Sequence, residues 1–113
     1  MPHLQLEMSQ DVESKIDVLA LMSDLVSVFC GHETIDSKSV KCYLRSAGVW
    51  TMGEGAPPGF IHLTICVLAG RDPSLLRRIS DSLYSVLTAH VHKACEAAVT
   101  LEIRQMDSVV YRK

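Results

Sequence analysis

The sequence carries the same pattern twice, 59 residues apart, and this repeat limits the folds open to the chain. Residues 2–6 (PHLQL) correspond to residues 61–65 (IHLTI) at an offset of 61 − 2 = 59. Residues 40–45 (VKCYLR) correspond to residues 99–104 (VTLEIR) at the same offset, 99 − 40 = 59. All four segments have the alternation or the branched apolar composition of β-strands, so the repeat indicates a duplicated unit with a strand at each end.

Each half of the repeat also contains a helical pattern between its two strands. Residues 13–30 are predicted to form the first helix, between a capping Asp11 and a terminating Gly31. Asp72 and Pro73 begin the second helix, since Asp is a preferred cap and Pro suits the first helical position. The predicted apolar face of the first helix is Ile16, Leu19, Leu21, Met22, Leu25, Val26 and Phe29. That of the second is Leu76, Ile79, Leu83, Val86, Leu87, His90, Val91 and Ala94.

The sequence therefore predicts two tandem β-α-β units. Their strands cover residues 3–8, 39–46, 60–68 and 99–105, and a loop rich in Gly and Pro at residues 53–59 joins the units. Right-handed crossovers would place both helices on one face of a four-stranded sheet, giving a two-layer α/β sandwich of the α+β class. No helix remains to cover the other face, so we expect another subunit to cover it.

Length and composition narrow the possible functions. A chain of 113 residues suits one domain, residues 1–113. Its formal charge of -2 excludes a basic nucleic-acid-binding protein. The first residues lack the pattern of a secretory signal, and no apolar stretch reaches the ~18 residues of a membrane span, so we expect a cytoplasmic protein without a membrane partner. The four cysteines, which form no CxxC pair, are expected to be reduced thiols: Cys30, Cys42, Cys66 and Cys95.

Pro2 is the first candidate for chemistry. Removal of a leading methionine is favoured before proline, and it would leave a secondary amine at the start of a strand. Such an amine accepts a proton, whereas an internal proline nitrogen is an amide and does not. To act as a base near neutral pH the amine must be largely unprotonated, which burial or neighbouring positive charge promotes. The alternative is that Pro2 merely begins an edge strand.

Three cationic side chains are candidates for binding an anion. Arg71 follows the central strand and precedes the second helix, where a guanidinium and free helical N–H groups suit a carboxylate. Lys41 and Arg45 lie with Tyr43 on one face of the second strand, which is either an anion-binding face or an ordinary solvated edge. The histidines predict no metal site, because those at 90 and 92 diverge by about 200° on a helix.

Four segments of the chain, by their residues and their order, resemble a known protein family. They are Pro2-His3 followed by alternation, residues 50–55 (WTMGEG), residues 60–64 (FIHLT) and Gly70-Arg71. Over nearly the whole chain, they resemble the 5-carboxymethyl-2-hydroxymuconate isomerases of the tautomerase superfamily. This resemblance implies the tautomerase fold, a homotrimer whose sheets line a central barrel, active sites at subunit boundaries, and neither cofactor nor metal.

The resemblance also implies roles for the candidate residues. Pro2 would move a proton between carbons of an unsaturated dienol or keto polycarboxylate from aromatic-compound breakdown, and Arg71 would bind a substrate carboxylate. Lys41 stands where the family has an arginine, and Arg45 stands where it has a histidine. Lysine keeps the charge but loses the two-pronged grip of arginine, so the resemblance makes Lys41 and Arg45 further candidates for binding a small anionic acid.

Two other functions remain open at this stage. The chain could be a tautomerase for the enol of a simpler 2-keto acid, or a trimeric binding protein of the same fold without turnover. Substitution of Pro2 separates these classes, because it abolishes proton transfer in either enzyme and leaves the affinity of a binding protein nearly intact.

Overall fold

The computed structural model describes residues 2–113 and contains two β-α-β units in tandem, as the repeat predicts. Met1, whose removal is part of the sequence-based prediction, lies outside the described residues. The elements are β1 (His3–Ser9), α1 (Gln10–Glu13), α2 (Val18–Cys30), a 3₁₀ turn (Ser37–Ser39), β2 (Lys41–Ala47), β3 (Gly59–Leu68), α3 (Pro73–His92) and β4 (Ala97–Met106).

The four strands form one mixed sheet in the order β2-β1-β3-β4. Within each unit the two strands are parallel, and the units meet through the antiparallel pair β1 and β3. In that central pair Leu6 lies opposite Leu63, and His3 lies opposite Cys66. The start of β1 is therefore adjacent to the end of β3, which matters for the position of the candidate site.

The core lies between the sheet and the two long helices. Alternation along β1 and β3 places one apolar set on the covered face, and both helices contribute residues spaced four apart, which lie on one side of a helix. Complete burial of each such side chain stabilises the fold by about 1.5–3 kcal/mol. The fully buried core residues are Leu4, Leu6, Met8, Val12, Leu21, Leu25, Phe29, Ile61, Leu63, Ile65, Val67, Ile79, Leu83, Leu87 and Val91.

The start of the first helix differs from the prediction. Asp11 does not cap it but lies inside the four-residue α1, and the long helix begins only at Val18. Asp17 is the actual cap, since its Oδ1 accepts a hydrogen bond from the Ala20 N–H at 3.0 Å. An aspartate that satisfies the backbone in this way ends one helical segment and starts another, which explains the break. Leu19, placed on the apolar face by the spacing, is 78% exposed, because it lies about 200° around the helix from the buried Leu21.

The turn from β1 into α1 packs tightly against the start of β3. Ser9 is fully buried, and its hydroxyl accepts the Phe60 N–H at 2.9 Å and lies 3.3 Å from the Phe60 carbonyl oxygen, to which it donates. Gly59 lies directly beside it: a Cβ on this residue would be 2.6 Å from Ser9 Oγ and from both carboxylate oxygens of Asp11. The backbone here approaches closely enough that only glycine fits without movement.

The second sheet face, which no helix covers, is polar. His62 contacts Thr100 at 2.6 Å and Glu102 at 3.3 Å, and Arg104 contacts Glu102 at 2.9 Å. Arg104 and then His62 lower the pKa of the Glu102 carboxyl. The face also carries Lys41, Tyr43 and Arg45 from β2 together with His3, Gln5 and Glu7 from β1. Within residues 2–113, no helix is both long and apolar enough to cross a membrane.

Candidate active site

A cavity of about 280 Å³ opens where the start of β1 meets the end of β3. Because these strands are antiparallel, the first residue before β1 and the first residues after β3 come to the same end of the sheet. Pro2 and Arg71 therefore lie at one site although they belong to different halves of the repeat. The cavity is lined by Pro2, Thr34, Asp36, Ser39, Leu68, Arg71 and Lys113.

Pro2 is buried, and the sheet fixes its backbone. Its carbonyl oxygen accepts a hydrogen bond from the Lys41 N–H at 3.1 Å, which continues the β1–β2 pairing by one residue beyond the strand. The proline ring needs no N–H for this pairing, so it begins the strand without leaving a donor unsatisfied. The nitrogen of Pro2 is thereby held at a defined position beside the cavity.

Arg71 is held by three hydrogen bonds. Its Nε donates to Thr34 Oγ1 at 3.2 Å, its Nη2 to the Thr34 carbonyl at 3.3 Å, and its Nη1 to the Leu68 carbonyl at 3.1 Å. Thr34 has a positive φ of 68°, which is uncommon for a β-branched residue and reflects the sharp turn after α2. Since a guanidinium has five N–H donors, two beyond those bonded to described residues can meet a carboxylate.

The start of α3 does not offer the free N–H groups that the sequence predicts beside Arg71, because Pro73 has none and those of Leu75 and Leu76 meet the Asp72 carbonyl. Asp72, the next residue, caps α3 by accepting the Ser74 N–H at 2.8 Å, and Pro73 occupies the first helical turn, as the sequence predicts. The two hydrogen bonds from Ser74 lower the pKa of the Asp72 carboxyl. Arg71 thus stands just before a 20-residue helix whose positive end already meets the Asp72 carboxylate, so its guanidinium is the anion-binding group here.

Lys41 and Arg45, the other two predicted binding residues, lie elsewhere on the subunit. Lys41 is exposed at the start of β2, opposite His3, and its side chain does not line the cavity. Arg45 lies four residues further along β2, about 13 Å away at the usual strand rise. Its guanidinium lies 5.9 Å from the centre of the Tyr43 ring and its strand position is opposite Glu7. Within one chain, the fold does not bring Arg45 to the cavity beside Pro2.

Five of the lining residues were not predicted as site residues, and one of them, Leu68, is the last residue of β3. Thr34, Asp36 and Ser39 lie in the connection between α2 and β2, where no periodicity marks a functional position. The Asp36 carboxylate accepts the Lys38 N–H at 3.1 Å and so caps the 3₁₀ turn while also facing the cavity. Lys113 is far from every motif in the sequence. Residues that only the fold brings together leave no local pattern in the sequence that would identify them as parts of one site.

The C-terminal segment reaches the site through a contact with His3. The Tyr111 hydroxyl and His3 Nε2 are 2.9 Å apart, and the two rings meet edge to face with centres 6.1 Å apart. Burial, followed by the charge of Lys41, lowers the pKa of the His3 imidazole. His3 therefore favours the neutral form, in which one ring nitrogen can accept a hydrogen bond from the Tyr111 hydroxyl.

The lining groups indicate what the cavity can bind. Two side-chain cations, Arg71 and Lys113, and one side-chain carboxylate, Asp36, surround the buried Pro2. The arrangement favours an anion, and the guanidinium favours a planar one such as a carboxylate. In residues 2–113, no three side chains of the types that bind metals come together.

Comparisons with known proteins bear on the family and the fold of the chain. The chain matches the family described as 5-carboxymethyl-2-hydroxymuconate isomerase over residues 2–113. The comparison with curated proteins found no significant match.

Solved structures share the fold. A 5-carboxymethyl-2-hydroxymuconate delta-isomerase has a TM-score of 0.87 and 17% identity, with 100% of this chain and 87% of that chain covered. A 5-carboxymethyl-2-hydroxymuconate isomerase from Deinococcus radiodurans R1 has a TM-score of 0.89 and 21% identity, with 99% of this chain and 87% of that chain covered. A fused 4-OT, described as an asymmetric trimer, has a TM-score of 0.74 and 15% identity, with 98% and 91% covered.

These neighbours show that the two β-α-β units form the fold of the tautomerase superfamily. The family match extends over every residue that the structure describes. The chain therefore belongs to the 5-carboxymethyl-2-hydroxymuconate isomerase family.

Proposed function

We propose that this protein is an isomerase that moves a proton between carbons of an unsaturated dienol or keto polycarboxylate, with Pro2 as the base. The observation that carries the proposal is that Pro2 and Arg71 line one cavity although they come from opposite halves of the repeat. Membership of the isomerase family supports the reaction class. The proposal includes removal of Met1, because only a terminal proline has a basic nitrogen.

The proposed reaction needs one base and one anion-binding group. The Pro2 nitrogen takes a proton from the substrate, leaving a dienolate whose negative charge is delocalised along the conjugated chain. The same nitrogen, now protonated, returns the proton to a different carbon, so no electron acceptor or cofactor takes part. The Arg71 guanidinium holds a substrate carboxylate and stabilises the charge that develops next to it.

The surroundings of Pro2 favour the neutral amine that this reaction requires. Pro2 is buried, and burial disfavours a charged ammonium. Arg71 and Lys113, which line the same cavity, add positive charge and disfavour protonation further. The negative charge of Asp36 acts in the opposite direction and favours the protonated amine. Because two cations face one carboxylate, the net effect of these side chains promotes the basic form.

We also propose that the protein is a homotrimer. The sheet face opposite the helices is polar, no helix or strand among residues 2–113 covers it, and a fused 4-OT of similar fold is described as a trimer. A shared site would give roles to Lys41 and Arg45, which lie on that face and outside the subunit's own cavity. The four free cysteines suit a reducing compartment, and we propose the cytoplasm. Sedimentation of a folded monomer would contradict the trimer.

The test is a stopped-flow assay of enol ketonisation. The substrates are 5-carboxymethyl-2-hydroxymuconate and a monocarboxylate enol. Pro2→Ala is expected to lower kcat by roughly 10²- to 10⁴-fold, the span for a positioned base, with the residual rate due to its primary amine. Arg71→Ala is expected to cost about 1.5–3 kcal/mol in kcat/KM, and Arg71→Lys to recover part of that loss.

The matched control is Arg77→Ala, which removes an exposed arginine from the outer surface of α3 and is expected to leave both rates unchanged. A preparation that retains Met1 and reacts at the wild-type rate would eliminate Pro2 as the base. An Arg71→Ala variant as efficient as wild type on the polycarboxylate would eliminate the anion site.

The same assay distinguishes a second candidate, a tautomerase of simple 2-keto acid enols. The Asp36 carboxylate favours this candidate, because it offsets part of the positive charge in the cavity. Faster wild-type turnover of the monocarboxylate enol would establish it. A wild-type protein that binds carboxylates but converts neither enol would instead be a binding protein.

A further inference from the structure

We infer that the C-terminal segment, residues 107–113, is a specificity element of the site, in which Lys113 binds a second carboxylate of the ligand. The inference rests on the proposed function for the meaning of the cavity, and it adds a residue that no motif in the sequence indicates. Its evidence is the way the segment is held and the side chains that it brings to the cavity.

The segment follows β4 and is held at both of its ends. At its start, the Met106 carbonyl accepts the Ala69 N–H at 2.9 Å, which ties the end of β4 to the turn that leads to Arg71. Asp107 then closes a tight turn: its carbonyl accepts the Tyr111 N–H at 3.0 Å, and its Oδ1 accepts the Val109 N–H at 2.9 Å. This turn reverses the chain toward the start of β1.

Tyr111 fixes the far end of the segment beside Pro2. Its hydroxyl lies 2.9 Å from Nε2 of His3, the residue that follows Pro2, and the edge-to-face contact of the two rings limits their rotation. Tyr111 is therefore a positioning residue. Two residues later, Lys113 lines the cavity together with Arg71.

The two cations come from separate parts of the chain. Arg71 is rigidly held by Thr34 and Leu68, and its planar guanidinium suits a carboxylate at one defined orientation. Lys113 is exposed and carries a point charge on a flexible stem, which suits a second carboxylate with fewer constraints on geometry. A ligand with one carboxylate satisfies Arg71 alone, whereas a dicarboxylate satisfies both cations.

The experiment measures binding, so it does not depend on turnover. Muconate and sorbate are probes with the same conjugated six-carbon chain, and muconate has one more carboxylate. Calorimetric titration of wild type is expected to show preference for muconate. In Lys113→Gln this preference, taken as the ratio of the two dissociation constants, should fall by roughly 2- to 5-fold, because an exposed ion pair contributes modestly. Tyr111→Phe should lower the ratio in the same direction by a smaller factor.

Lys93→Gln is the matched control, since it removes an equal charge from an exposed lysine just after α3 and should keep the wild-type ratio. The inference is overturned if Lys113→Gln keeps that ratio, or if wild type shows no preference for muconate. In one outcome, the wild-type protein isomerises neither enol and yet loses its preference for muconate on Lys113→Gln substitution. That pair of results would support the anion site and contradict the proposed reaction. Circular dichroism of each variant verifies that it is folded.

Discussion

Gly59→Ala is the substitution for which the structure gives the sharpest expectation about stability. The added Cβ would lie 2.6 Å from Ser9 Oγ and from both oxygens of Asp11, far inside an ordinary contact distance. Overpacking of this kind costs about 1–3 kcal/mol. If Ser9 shifts, its hydrogen bonds with Phe60 weaken, at about 1 kcal/mol. Alanine offsets about 0.4–1 kcal/mol of this destabilisation, since it restricts the unfolded chain more than glycine does. We expect a net loss of about 1–3 kcal/mol.

The assay is urea unfolding followed by circular dichroism at one fixed protein concentration, because assembly would otherwise alter the midpoint. Gly53→Ala is the control: a Cβ at this position meets no atom within 4 Å, so its stability should stay equal or rise slightly. Asp11→Ala removes two of the three close atoms. In a protein that already carries Asp11→Ala, Gly59→Ala should therefore lower the free energy of unfolding by less than it does in the wild type. Equal midpoints for Gly59→Ala and Gly53→Ala would refute the packing argument.

Two further predictions concern titrating groups. The imidazole of His3 should titrate below pH 6.5 in an NMR experiment, since burial and then Lys41 lower its pKa. The contribution of His3 to stability is present above pH 6.5 and is lost as the pH falls through the lowered pKa. A titration midpoint at or above pH 6.5 would contradict this prediction. Burial raises the pKa of the Cys42 thiol from 9.0 to about 11, so at pH 8 its thiolate population should be roughly 100-fold below that of an ordinary cysteine. Mass spectrometry after iodoacetamide treatment should find Cys42 labelled slowly in the folded protein and quickly in urea, and equal rates would overturn the prediction.

The fold was more predictable from the sequence than the site, for a physical reason. Strand alternation, helix spacing and the second cap at Asp72 are local signals, and the structure confirms them except for Leu19, which the spacing placed on the apolar face. The break before Val18 was missed because Asp11 and Asp17 are both good caps, and only packing of the first turn against the sheet selects between them.

The site depended on contacts between distant parts of the chain. Pro2 and Arg71 could be named separately from motifs and resemblance. Thr34 and Lys113 could not, because the first holds Arg71 from a loop and the second reaches the cavity only after the chain turns back at Asp107.

Within residues 2–113, the position that the repeat pairs with this cavity is filled by core side chains. Subtracting the offset maps Arg71 to Val12 (71 − 59 = 12) and Leu68 to Ser9 (68 − 59 = 9), and adding it maps Pro2 to Ile61 (2 + 59 = 61). At this symmetry-related position Val12, Ser9 and Ile61 are all fully buried. One of the two repeat-related positions is thus solid core that fastens the two units together, while the other is open and has the charged Arg71 where the first has Val12.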